Sequence, residues 1–231
     1  MSTIVIKQLK EHLTILKGSG MDVLYGVPFQ PFAESGISMI GTDTPCQKNP
    51  FLALRETVLG CTRCAELAET RKNVVFGAGN ANAKLVFVGE APGHDEDLQG
   101  LPFVGPAGQL LTKIIESIGL KRDEVFICNV LKCRPPNNRS PLPYEIANCE
   151  PYLLKQLDLI KSQVICALGT FAAQTLLKTS LPISNLRGRF HDFHGIKLMC
   201  TFHPAYLLRN PWDKRKVWDD MKMIRAELDQ T

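Results

Sequence analysis

From residue 85 onward, four short apolar runs each end in a turn and lead into a segment with apolar positions at helical spacing. Leu85–Gly89, Glu124–Val130, Gln163–Leu168 and Ile196–Thr201 read as strands, because runs of this length bounded by turn signals are the mark of buried strands. Residues 107–119 read as a helix with Gly119 as its cap, and 143–160 as a second, kinked or interrupted near Pro151. Gly169 opens a third helix running to Lys178, and 212–229 forms a closing one. Upstream, Ile6, Leu9, Leu13 and Leu16 predict a helix over 3–17. A Gly/Pro/Ser-rich lead-in follows from Gly18 to Pro50, and a helix at about 51–60 reaches Cys61. No internal repeat or low-complexity tract interrupts the pattern.

Alternation of strand and helix predicts the α/β class, with a parallel sheet covered by helices on both faces. In that architecture ligands sit at the carboxyl ends of the strands. The segments placed there are 90–108, 129–139, Gly169 and 203–211.

Composition narrows the picture. The 231 residues are 45% apolar and 22% charged, a core-forming balance rather than a disordered one. No apolar run approaches the ~18 residues of a membrane span. The first twenty residues carry only the short run Ile4–Ile6 before Lys7, Lys10 and Glu11, so no export signal is read and a cytoplasmic location is expected. A net charge of +4 permits a nucleic-acid partner without requiring one.

Eight cysteines in such a chain are expected to be thiols or metal ligands rather than disulfides. Cys128, Cys166 and Cys200 fall within strands and read as small buried hydrophobes; Cys46 lies in the lead-in and carries no assignment. Cys61 and Cys64 form a C-x2-C after a helix. Cys133 follows the second strand, and Cys149 lies sixteen residues further on. Four thiolates make a zinc site or an iron–sulfur cluster. Structural zinc sites usually repeat the short spacing, and C-x15-C favours the larger [4Fe–4S] cube.

The strand ends carry the remaining chemistry. Gly89–Asp97 is a carboxylate-rich turn without a phosphate-binding glycine pattern. Its Asp95, Glu96 and Asp97 read first as a solvated acidic loop, whereas Glu90 is pressed between the strand end and Pro92. Phe103 sits among prolines and glycines, as a core aromatic or as a stacking platform for a planar ring. Asn129 brings a donor and an acceptor together, the inventory that reads a base edge. His203 stands beside the rigid Pro204. Leu207 and Leu208 either pack inward or act as an apolar wedge against a duplex. Lys132, Arg134, Arg139, Arg187, Arg189, Arg209, Lys214, Arg215 and Lys216 would form a phosphate-binding rim if they share one face.

Together these segments resemble the family 4, iron–sulfur uracil-DNA glycosylases. The matching pieces are Gly89-Glu90-Ala91-Pro92-Gly93, Pro102-Phe103-Val104-Gly105, Asn129 through Pro136, and His203-Pro204-Ala205-Tyr206-Leu207-Leu208, in order around the four cysteines. The resemblance covers roughly residues 50–229. It implies a three-layer α/β/α sandwich around a four-stranded, mainly parallel sheet. It divides the chain into an extension, 1–49, and a glycosylase domain, 50–231. It implies a [4Fe–4S] cluster on Cys61, Cys64, Cys133 and Cys149, and removal of uracil from single- or double-stranded DNA by a monomer.

The family roles follow residue by residue. Phe103 stacks on the extruded uracil, Asn129 binds its N3 and O4 edge, and His203 stabilises charge on O2. Glu90 and Glu96 match acidic positions that shape the pocket, orient water or favour the sugar cation. Ala91 lines the site where the best-known glycosylase family has a water-activating Asp. Arg134, Arg187, Leu207 and Arg209 are the expected DNA contacts. The stretch after Cys133 lacks the His-containing insert of a branch that captures abasic sites covalently. A DNA-binding module without catalysis and an electron-transfer protein are the competing classes.

Overall fold

The computed structural model describes residues 23–24, 27–28 and 49–230, and the chain divides into two units, Met1–Cys46 and Gln47–Thr231. In the first unit, β1 (Val23–Leu24) pairs antiparallel with β2 (Val27–Pro28). The helix expected over 3–17 and Cys46 lie outside the described residues.

The second unit holds α1 (Pro50–Leu59), α2 (Ala65–Thr70), β3 (Ala78–Gly79), β4 (Leu85–Gly89), α3 (His94–Gln99), α4 (Pro106–Ser117) and β5 (Phe126–Asn129). It continues through α5 (Pro143–Ile160), β6 (Val164–Leu168), α6 (Thr170–Leu177), α7 (Ile183–Leu186), β7 (Phe190–Phe193), β8 (Ile196–Thr201), α8 (Pro204–Arg209) and α9 (Lys214–Leu228).

The sheet has six strands, not four, in the order β3-β5-β4-β6-β8-β7. The four inner strands are those read from the sequence, and all are parallel. Both additional strands are antiparallel edges. The first is two residues long, too short for any periodicity to show. The second joins β8 through a turn in which His194 and Gly195 both have positive φ, 51° and 84°. That is the geometry of a tight hairpin whose twist matches its strands.

Alternating residues of the inner strands face opposite layers. Val86, Val88, Cys128, Ile165 and Cys200 pack with Leu153 and Leu157 of α5 and Ala172 and Ala173 of α6. Phe87, Ile127, Cys166 and Met199 pack with Leu111 and Ile115 of α4 and Met221 and Ile224 of α9. The result is the expected three layers, with Cys128, Cys166 and Cys200 fully buried. α5 runs through Pro151 as one helix instead of breaking there. Pro151 and Ala147, four residues earlier, are both exposed, so the carbonyl freed by the missing N–H is on the solvent side.

Chain order also explains where the site lies. From β4 the chain moves to β5 on one side and then returns past β4 to β6 on the other. Such a reversal opens a crevice at the strands' carboxyl ends.

Candidate active site

Glu90, Phe103, Asn129 and His203 meet in one open cleft at those ends, with Ala91, Glu96, Tyr206 and Arg209 also in its wall. Four separate connections supply them. Glu90 follows β4, Phe103 precedes α4, Asn129 ends β5 and His203 caps α8.

Phe103 is held in a left-handed conformation, φ 52°, which a bulky residue adopts only when its surroundings enforce it. Arg122 enforces it, donating from Nη2 to the carbonyls of Pro102 (2.6 Å) and Phe103 (3.0 Å). Glu96 accepts from the Val104 N–H at 3.2 Å. Beneath the loop, a Cβ on Gly108 would lie 1.8 Å from the Phe103 carbonyl oxygen, so the close approach requires glycine. Glu96 is thus a bracket for the loop as well as part of the cleft wall, and Asp97 is buried, accepting from the N–H groups of Lys72 and Asn73. Of the expected solvated acidic turn, only Asp95 is exposed.

The Phe103 ring lies 5.5 Å from the His203 ring, centroid to centroid. His203 accepts the Ala205 N–H on Nδ1 at 3.1 Å. The neutral ring therefore carries its proton on Nε2, as a donor. Burial, with Arg209 nearby, lowers the His203 pKa to about 4, so the ring is neutral at physiological pH. Burial pushes Glu90 the other way, up to about 7.

Asn129 is buried, and its side-chain oxygen has no hydrogen-bond partner. An unmade bond of this kind costs about 1–3 kcal/mol. Nearby, a Cβ on Gly89 would fall 2.3 Å from that oxygen and 2.6 Å from Phe103 Cζ. The missing side chain at position 89 keeps room for both groups.

Cys61, Cys64, Cys133 and Cys149 line a second pocket, together with Val58, Leu67, Leu131 and Tyr152. Nitrogen donors point at three of the sulfurs: Arg71 Nη1 at Cys133 (3.0 Å), the Lys132 N–H at Cys149 (3.2 Å) and Asn148 Nδ2 at Cys64 (3.6 Å). Burial raises the thiol pKa of Cys64 and Cys133, and takes Cys149 to about 11. Among the described residues, no three His, Cys, Asp or Glu side chains converge as ligands of one metal ion. An all-sulfur set lining one pocket and supplied with N–H donors fits an iron–sulfur cluster.

The basic rim is smaller than expected. Leu207, on the inner face of α8, is fully buried in the core, and its neighbour Leu208 is the exposed one, at 47%. Arg187 is committed elsewhere. It donates to both carboxylate oxygens of the fully buried Asp220 (2.7 and 3.2 Å) and to the Lys216 carbonyl (2.6 Å). Its guanidinium neutralises that carboxylate rather than a phosphate. Arg139 pairs with Glu145 and Glu66, and Lys132 is 1% exposed. Arg209 remains exposed in the cleft wall. Arg134 stays half-buried, bonded to Asn138 Oδ1 (2.7 Å) and 3.1 Å from His94 Nδ1.

Sequence reading missed Arg122, Arg71 and the double role of Lys132. Arg122 and Arg71 lie in no motif, and Lys132 lies in one that gives no hint of its contacts; each acts through a residue 3 to 62 positions away.

Residues 76–222 match the family model of the uracil DNA glycosylase superfamily. The chain belongs to that superfamily, in its type-4 branch. It is 45% identical over 175 residues to a type-4 uracil-DNA glycosylase of Archaeoglobus fulgidus, covering 72% of this chain and 87% of that protein. The type-4 uracil-DNA glycosylase of Thermotoga maritima is 49% identical over 74% of this chain and 91% of its own length. That of Saccharolobus solfataricus is 41% identical over 76% and 85%. As a uracil-DNA glycosylase the chain is an enzyme, and the cleft above is its candidate active site.

Proposed function

We propose that this glycosylase extrudes deoxyuridine from DNA into the cleft and hydrolyses its N-glycosidic bond, leaving free uracil and an abasic site. The observation that carries the reading is the unpartnered amide oxygen of Asn129, buried between Gly89 and the Phe103 ring. Uracil offers an N3–H donor next to an O4 acceptor. Cytosine offers the reverse, an acceptor at N3 and an amino donor, so a fixed amide tells them apart.

Each group then has a task. Phe103 stacks on the flipped ring. His203 presents Nε2–H toward O2, where negative charge grows as the base leaves; a donor fixed in advance needs no reorganisation in the transition state. Glu90, as its carboxylate, favours the cationic sugar. Ala91 offers no base, so water attacks a sugar made electrophilic by departure of the uracil anion. The hydroxyl adds to C1′ and the remaining proton goes to uracil or solvent. Glu96 and Arg122 hold the Phe103 loop. Arg209, in the cleft wall, and Arg134 would meet phosphates.

Cys61, Cys64, Cys133 and Cys149 are the residues to hold a [4Fe–4S] cluster. Bound there, it supplies a covalent tie between the start of α2, the end of β5 and the body of α5. Arg71, Asn148 and the Lys132 N–H stabilise the anionic sulfurs.

The test is base release from oligonucleotides carrying a single deoxyuridine, thymidine or deoxycytidine. Release from deoxyuridine alone supports the reading, and binding without release of any base would refute it.

A further inference from the structure

Among the described residues, Trp212 is the most exposed large apolar side chain, at 94%; Leu52 and Leu98 follow at 54%. A single exposed hydrophobe is ordinary. The scaffold beneath this one is not. Trp212 sits in a short 3-10 turn, Pro211–Asp213. The Tyr206 hydroxyl donates to Asp213 Oδ2 at 2.6 Å, and Lys216 pairs with Asp213 Oδ1 at 2.8 Å. The Tyr206 carbonyl accepts from Asn210 twice, from N–H (2.9 Å) and from Nδ2 (3.1 Å). Tyr206 itself forms part of the cleft wall, stacked on Phe202. The turn that carries the indole is therefore tied to the wall of the candidate active site through Tyr206, while the indole's own surface is bare.

Its surroundings select a partner. Arg209, Lys214, Arg215 and Lys216 are all exposed within four positions of it, and Asp213, the acidic group within the turn, is already paired. An aromatic face among cations suits a polyanion with flat rings. Stacking of a base on an aromatic side chain is tolerant of sequence and sensitive to whether the base is free.

We propose that Trp212 is a stacking platform for an unpaired base of the DNA strand next to the extruded nucleotide. The inference rests on the glycosylase reading and adds a preference to it. Uracil in single-stranded or locally open DNA, where neighbouring bases are free, gains more from the platform than uracil in an intact duplex.

Two measurements on the full chain test this. In a Trp218→Phe background, Trp212 emission should be quenched by uracil-free oligothymidylate. Trp212→Ala should raise KM for a single-stranded deoxyuridine oligonucleotide about fivefold or more, with kcat within about twofold. Duplex substrate should be affected less, and Trp212→Phe should recover most of the loss. Emission indifferent to oligothymidylate, or a wild-type KM in Trp212→Ala, overturns the proposal. The fluorescence measurement needs no base release, so failure of the platform is distinguishable from failure of the glycosylase reading.

Discussion

Lys132 donates its ammonium to the main-chain carbonyl of Asn129 at 2.7 Å, from a position almost sealed from water. Its N–H meanwhile points at Cys149. One residue thus spans the cysteine pocket and the group proposed to read the base. A buried ammonium is costly, and burying it here fixes the end of β5. Lys132→Met should therefore lower kcat/KM on uracil about tenfold or more, since hydrogen bonds to charged groups contribute roughly 1.5–3 kcal/mol. Absorbance from the cluster proposed on the four cysteines should persist, and stability need not fall, because the desolvated charge is gone. Unchanged kinetics would show that the tether does not position Asn129.

Gly89 tests the pocket's shape. A methyl group there would meet Asn129 and Phe103 well inside contact distance. Gly89→Ala should cut activity at least a hundredfold, as displacement of positioned groups by about 1 Å does. Circular dichroism should stay native. A fully active Gly89→Ala protein would mean that the base does not lie against β4.

The pH dependence should separate Glu90 from His203. Glu90 has its pKa raised to about 7, so its carboxylate is lost as pH falls through neutrality. His203, with a pKa near 4, stays neutral throughout that range. A kcat/KM profile should thus show an acidic limb near pH 7 that vanishes in Glu90→Gln. Stability moves the opposite way. A carboxyl whose folded pKa is raised binds its proton more tightly when folded, so wild type loses stability as pH rises from about 4.5 through 7. Glu90→Gln should be the more stable protein at pH 8, by about 1 kcal/mol once solvent screening of a partly exposed group is allowed for.

Two arginines should behave differently. Arg187→Ala leaves the buried carboxylate of Asp220 without its cation, held only by the Thr201 hydroxyl at 2.6 Å, and should cost about 3 kcal/mol in chemical denaturation. Arg209→Ala should leave stability within ~0.5 kcal/mol but weaken DNA binding and flatten its salt dependence by about one phosphate contact. If Arg187→Ala proved as stable as wild type, the pairing with Asp220 would not be the residue's task.

The central sheet was legible because four buried strands leave apolar runs bounded by turns, and those runs matched the inner strands. Edge strands left no such mark: Ala78–Gly79 has two residues, and Phe190–Phe193 is recognisable only through the His194–Gly195 turn. The cleft residues were visible as unusual side chains at strand ends. Their supports were not, because Arg122 and Arg71 look like any surface cation until the chain brings a carbonyl or a sulfur to them. Leu207 and Leu208 show the limit of a motif. Identical neighbours on a helix point in different directions, and only packing shows that the first is the buried one. The pairing of Arg187 was hidden for a similar reason, since its partner Asp220 lies 33 positions away.

In the proposed reaction a neutral histidine, fixed in advance in the cleft, stabilises the departing uracil. The most direct test is the steady-state rate of uracil release from a single-deoxyuridine oligonucleotide by wild type and by His203→Ala. Loss of one such donor should reduce kcat about 10²–10³-fold with KM little changed. A His203→Ala protein that releases uracil at the wild-type rate would contradict the account.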